Sequence, residues 1–106
     1  MKPSVRAALD DARRRLDALY GERLVRVILY GSQARGDARD ESDVDVLVIL
    51  KHDFDVVVEL KRLVDIKLDL LEKYNVYFSL QPFTESDYQQ RRSSLMINVH
   101  EEGVEL

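Results

Sequence analysis

Two nearly continuous apolar, β-branched runs constrain this chain most: Leu24 to Tyr30 (LVRVILY) and Asp43 to Leu50 (DVDVLVIL). Runs of that length and composition read as strands covered on both faces. Between them lie only Gly31 and the polar stretch Ser32 to Ser42 (SQARGDARDES). A parallel crossover needs a dozen or more residues and usually a packed helix. The two strands are therefore expected to be antiparallel neighbours, joined by a polar loop with room for one helical turn. That places the end of the first strand beside the start of the second, at one edge of a sheet.

The rest of the chain supplies cover for such a sheet. Val5, Leu9, Ala12, Leu16 and Leu19 fall at helical spacing, and Gly21 stops that helix. Asp53 to Tyr74 reads as a long helix, with Val57, Leu60, Val64, Leu68 and Leu71 on one apolar face. A short third strand is expected over Val76 to Leu80, ended by Pro82, and the long helix before it suits a crossover. Ser86 to Arg92 reads as helical. Ser93 or Ser94 then caps a last helix running through His100, with Gly103 as its stop. The expected fold class is α/β (α+β): a small mixed sheet with flanking helices, built as one domain over residues 1–106.

Composition narrows the function. The formal net charge is −4, and the basic run Arg13, Arg14, Arg15 is offset by Asp10, Asp11 and Asp17. Proteins that grip nucleic acid through its phosphates usually carry a basic excess, so long nucleic acid is a poor substrate for this chain. There are no cysteines, which removes disulfides and thiolate zinc sites. No apolar run is long enough to cross a membrane, and Val5 to Tyr20 carries too many charges for a signal peptide. The cytoplasm is the expected compartment. A domain of this size buries a modest share of its surface, so a protein partner or a second copy adds useful stability. The apolar C-terminal segment (Leu95, Met96, Ile97, Val99) is the expected place for such contact.

The chemistry concentrates in Gly31 to Val48, GSQARGDARDESDVDVLV. Gly31 lacks a Cβ, so a phosphate can approach its backbone closely. Ser32 offers a hydroxyl and, if a helical turn begins there, N–H groups that favour an anion. Arg35 can add a charge-assisted bond to the same phosphates. Asp43 and Asp45 are two residues apart on a strand, so both carboxylates point to one face. Mg²⁺ accepts one or two such carboxylates when water and phosphate oxygens fill its other positions. A lone Asp-x-Asp is weak evidence, since charged strand ends are common, and a lone Gly-Ser is a turn. Joined at one sheet edge, they describe a nucleoside triphosphate site with bound metal. His52 and His100 lack a second ligand at a recognised spacing and read as surface residues. Tyr74, Tyr77 and Phe78 read as core aromatics, with Tyr77 a candidate to stack on an adenine.

This segment resembles the signature of the DNA polymerase β-type nucleotidyltransferase superfamily: Gly-Ser, a spacer, then Asp-x-Asp. The fuller GSxARG…SDxDxxV form is similar to the minimal nucleotidyltransferases, small prokaryotic proteins often paired with a HEPN-domain partner, and Glu101 to Leu106 (EEGVEL) resembles their usual close. The resemblance implies that Gly31 and Ser32 contact the triphosphate of ATP or another NTP, where Arg35 can add its charge. It also implies that Asp43 and Asp45 bind Mg²⁺ and carry the catalysis. The implied function is transfer of a nucleotidyl group, AMP from ATP, to a hydroxyl of a HEPN-domain toxin, as its antitoxin. Two alternatives stand beside it: a nucleotide-binding module that neutralises its partner by contact, and the catalytic piece of a split small-molecule transferase. One feature departs from the family. Active members usually carry a third carboxylate on the third strand, whereas Asn75, Tyr77, Ser79 and Gln81 form the polar face here, with Ser79 as the candidate for that position.

Overall fold

A computed structural model describes residues 1–40 and 42–106. Helix α1 (Pro3–Tyr20) leads through a 3₁₀ turn (Gly21–Arg23) into β1 (Leu24–Tyr30). A four-residue helix, α2 (Ser32–Arg35), and a loop precede β2 (Val44–Leu50). Helix α3 (Val56–Tyr74), β3 (Phe78–Thr84), α4 (Glu85–Gln90), α5 (Ser94–Glu102) and β4 (Val104–Glu105) complete the order. The mixed sheet runs β3-β2-β1-β4. β1 and β2 are antiparallel, as the short connection requires, and β2 and β3 are parallel with α3 as their crossover. Glu41, in the polar stretch between β1 and β2, lies outside the described residues.

β2 is buried from Val46 through Leu50 because it is central in the sheet and covered on both faces. On one face α1 and α3 pack Leu9, Leu16, Leu63 and Leu70 against Val27, Leu29, Val46 and Val48. On the other, Met96 and Val99 of α5 cover Ile28, Leu47 and Ile49. Each fully buried aliphatic side chain stabilises the fold by about 1.5–3 kcal/mol relative to exposure. Helix ends are set by local chemistry. The Asp55 carboxylate accepts from Val57 N at 2.9 Å, and Ser93 Oγ accepts from Met96 N at 3.1 Å.

Four expectations are corrected or refined. The third strand does not end at Pro82 but runs to Thr84. β3 is an edge strand, where a missing N–H is tolerated. The inward face of α3 is Glu59, Leu63, Ile66 and Leu70, not the Val57–Leu71 stripe. The helix carries two apolar stripes, and spacing alone does not say which one faces the sheet. α1 fixes the choice: Asp11 accepts from Tyr74 Oη at 2.8 Å, and Arg15 donates to Asp69 at 2.9 Å. The last helix stops at Gly103 as expected, although it runs to Glu102 rather than His100, and beyond it an unexpected β4 pairs with β1 through Ile28↔Glu105 and Leu29↔Val104. Finally, the surplus apolar surface is not concentrated on α5. Met96 and Val99 are consumed by the second face of the sheet, and the larger exposed stripe is on α3.

Candidate active site

The site is built where β1 ends and β2 begins. Register pairs Tyr30 with Asp45 on β2, and Asp45 with Ser79 on β3. A single row across three strands therefore holds a phenol, a carboxylate and a hydroxyl. Asp43 precedes β2 by one residue and flanks Asp45 on the same face. Val44 N donates to Tyr77 O at 2.9 Å, which fixes the start of β2 against the start of β3.

Gly31 joins the two halves of the motif. Its φ is 74° and ψ −156°, a backbone region essentially confined to glycine. A Cβ placed there would overlap the Asp45 carboxylate, with Cγ only 3.3 Å away. Gly31 is thus needed for its backbone conformation and because the Asp45 carboxylate occupies the space a side chain would take. Gly31 O accepts from Ala34 N and Arg35 N, both at 3.1 Å, so α2 begins immediately. The N–H groups of Ser32 and Gln33, at the first turn, have no acceptor among the described residues and can meet an anion.

Electrostatics mark the same place. Burial pushes the Asp45 carboxyl above its ordinary range, the Asp43 charge adds to this, and Arg35 works against it. The Tyr30 phenol is also raised, first by burial and then by Asp45, with the Ser79 hydroxyl opposing. Arg35 is held in place by two acids: Nε donates to Asp37 at 3.2 Å and Nη1 to Glu102 at 3.1 Å. Residue spacing gave no sign of the Glu102 contact, which α5 brings 67 positions along the chain. Tyr30 was also missed. Its place directly before Gly31 was visible, but its closeness to Asp45 depends on register.

Among the described residues, no group of three or more His, Cys, Asp or Glu is arranged to hold a metal. Two carboxylates that repel each other, one of them resisting ionisation, still fit Mg²⁺ that arrives with phosphate oxygens as its remaining donors. Such an ion would supply charge neutralisation for the phosphates. Asp43 and Asp45 would hold it, and the α2 N-terminus would orient the chain of phosphates. A cleft of about 480 Å³ is lined by Lys2, Arg39, Ser42, Asn75 and Tyr77 among others. Neither aspartate lines it, but Gln33 of α2, Ser42 beside Asp43, and Tyr77, whose carbonyl accepts from Val44 N, connect it to the carboxylate edge. Tyr77 itself is 59% exposed rather than packed in the core.

The raised Asp45 carboxyl makes a stability prediction. The folded state disfavours ionised Asp45, so the carboxylate weakens the fold once pH rises above the ordinary carboxylate range. Without metal at neutral pH, Asp45→Asn should melt at or a few degrees above the wild-type temperature. A large drop would make Asp45 a structural residue.

A Gly-Ser turn seated on the first carboxylates of an antiparallel neighbour, in a small mixed sheet, defines a nucleotidyl-transferring class of fold. Comparison with known proteins agrees. The family described as "Nucleotidyltransferase domain" matches residues 9–103, and the chain belongs to it. It is 37% identical over 89 residues to a Methanocaldococcus jannaschii chain named "Putative protein adenylyltransferase MJ0604", covering 83% of each. It is similar to a solved structure described as a "putative minimal nucleotidyltransferase", with TM-score 0.63, 28% identity and coverage of 100% of this chain and 97% of that one. The fold also matches one in a structure of a tri-AMPylated Shewanella oneidensis HEPN toxin in complex with MNT antitoxin, at TM-score 0.52 and 15% identity, over 92% of this chain and 70% of that one. No helix is long and apolar enough to cross a membrane among the described residues.

Proposed function

We propose that this nucleotidyltransferase uses Mg²⁺ and ATP to place AMP on a hydroxyl of a HEPN-domain partner, with residues 1–106 acting as one catalytic domain. The observation that supports the reading is that the Asp45 carboxylate fills the space beside Gly31; in this reading the phosphate-facing turn then adjoins the metal-binding pair. In this reading the acceptor oxygen bonds to the α-phosphorus of ATP. The bond to the oxygen bridging α- and β-phosphates breaks, pyrophosphate leaves, and the acceptor proton passes to water. Ser32 and the first N–H groups of α2 orient the phosphates, and Arg35 adds positive charge. Positioning and electrostatics carry most of such chemistry. Support for the acceptor class comes from the protein adenylyltransferase name of the relative and the AMPylated HEPN toxin of the structural neighbour.

Ser79 favours a second reading. It stands in register with Asp45 where a general base would be useful, and a hydroxyl takes no proton at neutral pH. A positioned base typically contributes ~10²–10⁴-fold. The chain would then bind nucleotide and neutralise its partner by contact. A phenolic acceptor eases the defect, because an unperturbed tyrosine pKa of about 10 lies far below that of an aliphatic alcohol. Activity should accordingly favour a tyrosine acceptor and rise with pH toward that value. Ser79→Asp should raise the neutral-pH rate by about tenfold or more. A folded Ser79→Asp protein no faster than wild type would count against Ser79 as the missing base position. The deciding experiment is mass spectrometry of the HEPN-domain partner after incubation with this protein and Mg²⁺–ATP. Adenylyl adducts support transfer, whereas a stable complex with no adduct supports the contact reading.

A further inference from the structure

Helix α3 has a second apolar stripe that the fold leaves uncovered. Val57 is 60% exposed, Leu60 39%, Val64 44% and Leu68 57%. These positions fall on one side of the helix, since 3.6 residues make a turn, and the stripe is about 18 Å long. It is not the side that meets α1, which is joined to α3 through Asp69, Lys73 and Tyr74. The outer residues of α1 (Arg6, Asp10, Arg13, Arg14, Asp17) are charged. Apart from Leu19, which is 39% exposed, the large outward residues of α1 are charged, whereas α3 presents a continuous apolar row.

We propose that this stripe pairs two copies of the chain through antiparallel α3 helices about a two-fold axis. The order of residues suits its own reversal. Val57 comes opposite Leu68 of the second copy, and Leu60 opposite Val64, so each contact matches a valine with a leucine. A two-fold contact repeats every such pair. The charges follow the same symmetry. Lys61 and Asp65 flank the stripe on one side and are exposed. In the antiparallel arrangement the Lys61 of each copy meets the Asp65 of the other. Among the described residues neither makes an ion pair within the chain. Pro82 removes one donor from the open β3 edge, which disfavours association by strand addition there. One helix pair of this length covers less than the roughly 800 Å² per partner of a standard interface. The dimer should be weak, with Kd in the range of about 10–100 µM.

Sedimentation equilibrium of the purified full chain across that concentration range tests the pairing. Wild type should shift from monomer to dimer, and Val64→Lys, an exposed change checked for fold by circular dichroism, should stay monomeric. Lys61→Asp and Asp65→Lys should each raise Kd by about tenfold, since each sets like charges against each other. Mixing those two single variants restores opposite charges at both contacts and should recover dimers containing one copy of each. A strictly monomeric wild type overturns the proposal, as does a dimer unaffected by Val64→Lys or a mixture no tighter than either variant alone. A monomer that uses the stripe only to bind a different protein also overturns it. The result is independent of adenylyl transfer, because Val64 lies outside the candidate active site.

Discussion

Gly31→Ala should lose Mg²⁺–ATP binding by at least about tenfold and lower the melting temperature on the order of 10 °C. Two separate costs combine. The backbone at φ 74°, ψ −156° costs a non-glycine residue about 1–3 kcal/mol. The added Cβ also overlaps the Asp45 carboxylate, so either the Gly31–Ser32 turn or the Asp45 side chain must move. Gly36→Ala separates the two effects. Gly36 has φ 85°, but a Cβ there meets nothing within 4 Å. It should share the backbone cost and keep nucleotide affinity. Thermal melts with calorimetric titration of Mg²⁺–ATP would check both. A folded Gly31→Ala protein with wild-type affinity would falsify the link between Gly31 and Asp45.

The double change Asp43→Asn, Asp45→Asn should reduce adenylyl transfer by about 10³-fold or more, since metal-assisted charge stabilisation supplies several kcal/mol of such a reaction. Folding should survive, because neither carboxylate makes an ion pair among the described residues and Asp45 is held against its own ionic preference. The measurement is the transfer rate beside a metal-free melt of the same preparation. Retained transfer in the double variant would place the chemistry elsewhere; lost transfer with a collapsed melt would make the pair structural.

The chain makes some of this legible and hides the rest for identifiable reasons. A connection of 31–42 is too short for a crossover, so β1 and β2 had to be antiparallel, and Gly31 and Asp45 had to share an edge. Caps at Gly21 and Ser93 were readable because each uses local chemistry. Tertiary choices were not. α3 carries apolar residues on two faces, and only the contacts of Asp11 and Arg15 with it select Leu63, Ile66 and Leu70 as the core face. β4 is a two-residue strand whose existence depends on β1 being there to receive it. The proximity of Glu102 to Arg35 and the row Tyr30–Asp45–Ser79 both depend on register and packing, which no spacing along the chain records. Pro82 was misread as a strand end because its tolerance depends on β3 being an edge.

The central claim is that the edge formed by Gly31, Ser32, Asp43 and Asp45 breaks ATP between its α- and β-phosphates and keeps the α-phosphate. Parallel reactions with α-labelled and γ-labelled ATP, Mg²⁺ and the proposed HEPN-domain partner test it directly. The expected result is α-label on the partner, absent with Asp43→Asn, Asp45→Asn protein, and γ-label recovered only as pyrophosphate. Label reaching the partner from the γ-phosphate, or α-label bound equally by the double variant, would contradict it.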